Sequence, residues 1–176
     1  MKKILIFLFL IFISLQNNSY ANGILPIKEG DNSSKIKLII YESLTCSHCA
    51  NFHNEVYPEI KKEFVDTGLA SIEFRNFPLD LAALNASKLA HCKNNGSSEV
   101  LHFLYKNQMR WIKGNNIIDL NNNLKKIMNE SSIALDFESC INNKKIEDFI
   151  LEERIEGSKK YSINSTPTLI INGEKF

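Results

Sequence analysis

The sequence predicts an α/β fold in which a long helical insertion separates the strands of one small sheet. Residues 35–42 are rich in β-branched side chains, alternate at first and then become wholly apolar, as in a strand buried on both faces. Residues 70–77 alternate apolar and polar side chains. Because a helical pattern lies between these strands, we expect a parallel βαβ unit. About eighty residues of helical pattern then precede a last strand at residues 168–172.

The composition agrees with one globular domain. The chain has 176 residues, of which 44% are hydrophobic and 23% charged, and these values exclude disordered and collagen-like proteins. The formal net charge is +1, from 21 basic and 20 acidic side chains. Since there is no basic excess, we expect no nucleic-acid partner.

Residues 1–21 have the features of a signal peptide. Two lysines precede an apolar run over residues 4–13, and Ser19 and Ala21 occupy the small-residue positions of a cleavage site. An uncleaved membrane anchor is the alternative, but the run is shorter than the roughly 20 apolar residues that a spanning helix needs. Export would place all four cysteines in an oxidising compartment, where disulfides persist.

The spacing of apolar residues predicts the first elements of the exported chain. Residues 22–34 are rich in Gly, Asn and Ser without periodicity, so we expect a flexible entry segment. After Cys46, apolar residues recur at steps of three and four and predict a helix, which Pro58 is expected to kink. Its buried face is predicted to carry Cys49, Phe52, Val56, Ile60 and Phe64.

Residues 80–161 are predicted to form the helical insertion, and residues 35–79 and 162–176 the sheet domain from which it extends. Four apolar stripes at helical spacing mark the insertion. They are Leu81-Leu84-Leu89, Val100-Leu104-Trp111, Leu120-Leu124-Ile127 and Ile146-Phe149-Ile150. Asn164-Ser165-Thr166-Pro167 then breaks the helical pattern before the last strand.

The motif Cys46-Ser47-His48-Cys49 carries the strongest chemical signal. It lies where a buried strand gives way to a helix, so Cys46 is expected at the helix N-terminus. Free N–H groups and the helix dipole favour an anion there and stabilise a thiolate. His48 adds to this effect when it is protonated or donates an N–H to the sulfur.

The other three histidines are given no role by the sequence. His53 follows Cys49 by one helical turn, where packing at the helix surface is the simpler interpretation. His91 and His102 are treated in the same way.

Cys92 and Cys140 are predicted to form a structural disulfide. On helical geometry Cys92 lies within the arc of the first leucine stripe, and Cys140 shares a face with Ile133 and Phe137, so both point into the insertion's core. Closing a loop of 48 residues would contribute about 4 kcal/mol in the chain-entropy model. The alternative, two reduced buried thiols, is disfavoured by the oxidising compartment.

Four motifs together carry a family resemblance. They are Leu44-Thr45-Cys46-Ser47-His48-Cys49-Ala50 with Phe52-His53, Phe74-Arg75-Asn76-Phe77-Pro78-Leu79, Ser165-Thr166-Pro167-Thr168 and Ile171-Asn172-Gly173. Over residues 35–176 the sequence thereby resembles the DsbA family of thiol:disulfide oxidoreductases, which have a thioredoxin-like fold with an inserted helical domain. The resemblance implies that Cys46 is the nucleophile, that Cys49 is the resolving cysteine and that Pro167 is a cis-proline facing them.

The resemblance also implies the setting in which these residues work. Thr166 would present backbone groups to an extended substrate peptide, which allows low sequence specificity. The partners would be unfolded or reduced exported proteins in the periplasm and a membrane protein of the quinone-linked type that reoxidises the enzyme. No cofactor or metal is expected.

The sequence departs from the family pattern in two places. Ser47 stands where many relatives carry proline, which leaves the contribution of this dipeptide to the redox potential open. The family also continues with a strand and a helix beyond the strand that follows Pro167. We therefore expect either a sequence truncated at the C-terminus or a reduced variant of the family.

A stabilised Cys46 thiolate predicts an oxidase, because it stabilises the reduced enzyme and makes the Cys46–Cys49 disulfide a strong oxidant. An isomerase or reductase of the same fold is the alternative, although isomerases usually carry a dimerisation domain that does not fit this length. Two other classes remain open. One is a metal-binding module that uses Cys46, Cys49, His48 and either Cys92 or His91, and the other is a redox-inert interaction domain.

Overall fold

The computed structural model describes residues 23–176, so the predicted signal peptide lies outside the described residues. Within residues 23–176 the sheet has five strands in the order β1-β3-β2-β4-β5. The strands are β1 Ile27–Glu29, β2 Ile36–Glu42, β3 Ala70–Asn76, β4 Thr168–Ile171 and β5 Glu174–Lys175. Strands β2 and β3 are parallel and the other neighbours antiparallel, which confirms the predicted βαβ unit.

Strand β1 corrects the expectation of a flexible entry segment at residues 22–34. Ile27 is buried and pairs with Phe74 on the outer side of β3. The Lys28 N–H also donates to the Gly96 carbonyl at 3.1 Å, which ties this strand to the insertion. Three residues are too few to show alternation, so the sequence carries no signal for this strand.

Helix α1 connects β2 to β3 and contains two π-helical turns. Its successive turns are Ser47–Asn51 (α), Phe52–Val56 (π), Tyr57–Ile60 (α) and Lys61–Val65 (π). Each π turn adds a residue to the repeat and rotates the face that follows it. The prediction that Val56 and Phe64 belong to the buried face is therefore wrong: both are exposed, and Tyr57 and Val65 are buried instead.

Pro58 explains the first of these π turns. It has no N–H to donate, and in a regular α-helix its ring would clash with the carbonyl of Asn54. In the structure the preceding residue, Tyr57, donates its N–H to the Phe52 carbonyl in an i→i+5 bond. The wider turn thus accommodates the proline without ending the helix.

The helical insertion is present as predicted. Its helices are α2 Leu81–His91, α3 Glu99–Lys106, α4 Gln108–Trp111, α5 Ile117–Asn129, α6 Phe137–Ile141 and α7 Lys144–Tyr161. The apolar stripes form the core, with the exception of Leu81, which is exposed in the first turn of α2. Cys92 and Cys140 are joined in a disulfide that links the ends of α2 and α6, as the sequence predicts.

Helix α7 packs against the sheet at a glycine. A Cβ atom on Gly157 would lie 2.6 Å from Cε1 of Tyr41, whose ring is fully buried on β2. Because backbone and ring meet this closely, only glycine lets α7 cover β2 and β3 at this point. This contact fixes one end of the insertion on the sheet.

The chain after Pro167 forms one more strand than the sequence indicates. Strand β4 turns through Asn172 and Gly173, which have positive φ angles of 50° and 93°, and β5 pairs back on it. No helix within residues 23–176 has both the length and the apolar character needed to cross a membrane.

Candidate active site

Cys46 lies where β2 gives way to α1. It is the N-cap residue of the helix, with φ −76° and ψ 120°. Its N–H donates to the Ser43 carbonyl at 3.0 Å, and its carbonyl accepts the Ala50 N–H at 3.1 Å. The Cys46 side chain is partly exposed, whereas Cys49, one turn further on, is fully buried, and both are free thiols.

The surroundings of Cys46 favour its thiolate. Burial alone would raise the pKa of this thiol, but the groups placed to donate to a thiolate outweigh it: the Thr166 side chain, Cys49 and the His48 backbone N–H. The pKa of Cys46 therefore lies below its ordinary value. The backbone N–H groups of His48 and Cys49 are among the free groups at the start of α1, as the sequence predicts.

Cys49 has the opposite character. Burial raises the pKa of its thiol far above the ordinary range, and the negative charge of Glu42 adds to this rise against a hydrogen bond from the Ser43 backbone. The motif thus pairs an accessible, acidic thiol with an enclosed thiol that holds its proton. This asymmetry is what stepwise thiol–disulfide exchange requires.

The Thr166–Pro167 peptide bond is cis and lies against the motif. The Cys46 thiol donates a hydrogen bond to the Thr166 carbonyl at 3.3 Å. The Thr166 hydroxyl oxygen is buried and has no hydrogen-bond partner among residues 23–176. When Cys46 ionises it has no proton left to donate, so the thiolate instead accepts from a donor such as this hydroxyl.

Polar groups of the insertion hold the loop that carries Cys46. The buried amide of Gln108 donates from Nε2 to the Leu44 carbonyl at 2.9 Å and to the Cys46 carbonyl at 3.0 Å. The Thr45 hydroxyl donates to Asp80 Oδ2 at 2.8 Å, and Asp80 also caps α2. Nothing in the sequence marks Gln108 as a site residue, because a single glutamine among apolar residues is common.

His48 contributes to the site through its backbone N–H, while its side chain points into solvent. The structure therefore shows an effect of His48 on the Cys46 thiolate through the backbone N–H. An effect of the imidazole stays a prediction.

His53 and His102 are not the isolated packing residues that the sequence suggested. His53 Nε2 lies 2.6 Å from Glu42 Oε2, and His53 Nδ1 lies 3.0 Å from His102 Nδ1. His102 Nε2 in turn lies 2.8 Å from Glu29 Oε1. The one available signal was that His53 follows Cys49 by four residues and so shares its helix face.

Within residues 23–176 the structure does not bring together the residues of the metal-binding alternative. Cys92 is held in the disulfide with Cys140, and His91 Nε2 lies 2.8 Å from Asn76 Nδ2. In the part of the chain from Gly23 onward, no group of three or more His, Cys, Asp or Glu side chains is placed to hold a metal ion.

Comparison with known protein families gives one match that spans most of the chain. The family model described as Thioredoxin matches residues 26–176. Two curated relatives, each named "Putative protein-disulfide oxidoreductase", come from Rickettsia conorii and Rickettsia bellii. They are 27% and 28% identical over 146 residues, which are 82% of this chain and 52% and 56% of theirs. The chain therefore spans about half the length of the curated relatives it matches.

Solved structures extend the comparison. The crystal structure of Wolbachia pipientis α-DsbA1 aligns with a TM-score of 0.73 and 35% identity, covering 83% of this chain and 74% of that one. The protein-disulfide isomerase from Novosphingobium aromaticivorans aligns with a TM-score of 0.74 over 87% of this chain and 90% of its own. Because the identity is only 19%, this second match supports the fold and nothing further.

Proposed function

The chain belongs to the DsbA family of thioredoxin-fold thiol:disulfide oxidoreductases, and from this we propose that it donates its Cys46–Cys49 disulfide to exported proteins in the periplasm. In this proposal Cys46 is the nucleophile and Cys49 the resolving cysteine. Thr166 and Pro167 receive the substrate, and Cys92–Cys140 is structural.

One observation carries the proposal: the accessible thiol of the motif has a lowered pKa and the enclosed thiol a raised one. A lowered pKa of Cys46 stabilises the reduced enzyme above that pKa, by about 1.4 kcal/mol for each unit. This corresponds to about 30 mV in the potential of a two-electron couple. The disulfide therefore becomes easier to reduce, as an oxidant of client thiols requires.

The partners follow from the same chemistry. Clients are reduced or unfolded proteins with accessible cysteines, which lie as extended peptides along the Thr166 backbone. Each turnover leaves the enzyme as a dithiol, so an electron acceptor must restore the disulfide. We assign this step to a quinone-linked membrane protein on the periplasmic face.

The proposal is tested by equilibrating residues 22–176 with mixtures of reduced and oxidised glutathione. We expect the Cys46–Cys49 pair to be far more oxidising than a structural disulfide, and its dithiol form to unfold at a higher denaturant concentration than its disulfide form. Cys46→Ser should abolish exchange with a reduced peptide. A variant with both Cys92→Ala and Cys140→Ala is the matched control, which should keep exchange.

Three results would contradict the oxidase. If the disulfide form is more stable than the dithiol form, the protein is a reductase. If scrambled disulfides are corrected faster than reduced thiols are oxidised, the protein is an isomerase. A protein that exchanges no thiols under either condition is the redox-inert domain.

A further inference from the structure

Four titratable side chains form an unbroken hydrogen-bonded path beneath the thiol pair. The path runs from Glu42 through both ring nitrogens of His53 and both ring nitrogens of His102 to Glu29, with contacts of 2.6, 3.0 and 2.8 Å. These residues come from β2, α1, α3 and β1 in turn. Because the four residues lie in four separate elements, only the tertiary fold brings them together.

The two ends of the path differ in their access to water. The side chains of His53 and Glu42 are 1% and 4% exposed, whereas that of His102 is 28% exposed. At the inner end, Glu42 acts on Cys49 through its charge, and its second oxygen, Oε1, is buried without a partner in the described residues. The path therefore connects solvent to the surroundings of the buried thiol.

Other polar groups border the path without interrupting it. The Tyr105 ring stacks on His53 with centroids 4.0 Å apart, and its hydroxyl adjoins Cys49 but makes no hydrogen bond of good geometry within residues 23–176. Tyr57 and Ser98 donate to the Glu29 carboxylate. Despite burial, the hydrogen bonds from His102, Ser98 and Tyr57 lower the pKa of Glu29 to about 2, so it is ionised at neutral pH.

The number of protons on the path determines whether all of its contacts are hydrogen bonds. With Glu29 ionised, three protons shared among Glu42, His53 and His102 satisfy every contact in three ways. Either Glu42 and both rings are neutral, or Glu42 is ionised and one of the two rings is a cation. Removing one proton leaves two lone pairs facing each other at one contact, and the partly exposed His102 is where solvent replaces it.

Resting on the proposed function, we propose that Glu42, His53, His102 and Glu29 form a proton relay that carries one proton between solvent and Cys49 in each half of the redox cycle. During client oxidation the client thiolate attacks Sγ of Cys46. A new S–S bond forms, the Cys46–Cys49 bond breaks, and its electron pair leaves on Cys49. Glu42 gives this thiolate a proton, and one proton enters from water at His102.

Reoxidation runs the relay in reverse. Cys46 is then bound to an oxidant in a mixed disulfide, and Cys49 must lose its proton before it attacks Sγ of Cys46 and expels the oxidant's thiolate. Glu42 accepts that proton, and one leaves to water from His102. Because Cys49 is fully buried, a direct route for water to this thiol is absent in the described structure.

The reduced protein should be mixed with an aromatic disulfide whose released thiolate absorbs visible light. The first release reports attack by Cys46, and the second reports attack by Cys49. We expect His53→Phe, which keeps the ring and its packing, to slow the second phase by about tenfold or more. It should also change the pH profile and the solvent deuterium effect of that phase, while the first phase changes less than twofold.

His102→Ala tests the solvent-exposed end of the path. It also replaces the first variant if His53→Phe does not fold. Its second phase should be slow as well, and imidazole in the buffer should restore part of the rate, because this site is open to solvent. His91→Phe is the matched control, since His91 is a buried histidine hydrogen-bonded to Asn76 outside the path. It should leave the second phase unchanged.

The outcomes separate the two proposals. An unchanged second phase in both His53→Phe and His102→Ala overturns the relay. An equal slowing in His91→Phe overturns it too, because the loss is then structural. If the first phase is no faster than that of an ordinary exposed thiol, the proposed oxidase fails, whatever the second phase shows.

Discussion

The Cys46 thiol donates a hydrogen bond to the Thr166 carbonyl at 3.3 Å, next to a cis peptide bond, while the hydroxyl of the same threonine is buried without a partner in residues 23–176. Thr166 thus offers a different group to each protonation state of the thiol. Its carbonyl accepts from the thiol, and its hydroxyl can donate to the thiolate. The residue before the proline therefore acts on Cys46 in both protonation states, in addition to its proposed part in receiving substrate.

We predict that Thr166→Val raises the pKa of Cys46, because valine keeps the shape of threonine and removes the donor to the thiolate. Thiolate absorbance of the reduced protein as a function of pH measures this shift. Ser165→Ala, next to it and exposed, is the control. A Cys46 titration that is the same in Thr166→Val and wild type would contradict the role of the hydroxyl.

His48→Ala should raise the pKa of Cys46 by less than Thr166→Val does. Its imidazole is exposed, so water screens its charge, and the His48 backbone N–H stays in place in the variant. The redox potential should fall accordingly, without a change in the free energy of unfolding. An unchanged thiolate titration would leave the backbone donors and Thr166 as the only causes.

The sequence was sufficient for those parts of the site that depend on neighbours along the chain. Cys46 at a strand-to-helix junction and Thr166–Pro167 before a strand are local patterns, and the structure has both. The π turns of α1 were not predictable from apolar spacing, since one extra residue per turn rotates the face on which Val56 and Phe64 were expected.

The buried polar network of Glu42, His53, His102 and Glu29 could not be predicted from the sequence, for a different reason. His53 and His102 are 49 residues apart, and His102 and Glu29 are 73 residues apart. Taken singly, each of these side chains is more often a surface or packing residue, and only the folded chain shows which partners meet. Gln108, which holds the carbonyls of Leu44 and Cys46, was missed for the same reason.

Removing the disulfide with Cys92→Ala and Cys140→Ala should lower the free energy of unfolding by about 4 kcal/mol or less, since the closed loop spans 48 residues. Denaturant unfolding with the Cys46–Cys49 pair held reduced measures this loss. Mass mapping of the non-reduced wild type should find Cys92 joined to Cys140. A Cys46–Cys92 or Cys49–Cys140 linkage in the native protein would overturn both assignments.

Gln108→Ala should destabilise the protein by about 1–3 kcal/mol, because it leaves the Leu44 and Cys46 carbonyls without their donor. Since the Cys46 loop also loses its anchor to α4, we expect the rate of exchange at Cys46 to change as well. Urea unfolding and the exchange rate should be measured together. Gln108→Glu, which places a carboxylate against two carbonyls, should be worse than alanine, and equal stability of the two variants would refute this account.

Glu153 supplies a pH dependence that lies outside the thiol site. It is buried on α7, and its Oε2 accepts from the Asn76 N–H at 2.8 Å and from Asn76 Nδ2 at 2.6 Å. Burial raises the pKa of Glu153 to about 8, against the Asn76 hydrogen bonds and the charge of Arg75, and Glu73 adds to the rise. His91, also bonded to Asn76, has a pKa that burial lowers to about 4.

The sign of the effect follows from comparing the folded and unfolded chains. Between pH 4.5, the ordinary pKa of glutamate, and about 8, the folded chain keeps a proton on Glu153 that the unfolded chain has lost. The free energy of unfolding therefore falls as pH rises through this window, by at most about 1.4 kcal/mol per unit. Glu153→Gln keeps an oxygen for Asn76 and cannot ionise, so it should remove this decline. Urea unfolding at pH 5, 6.5 and 8 should show the free energy of unfolding of the variant increasing relative to that of wild type as pH rises. Glu156→Gln, at an exposed position on the same helix, is the control. A difference between variant and wild type that stays constant with pH would mean that Glu153 is already ionised in the folded protein.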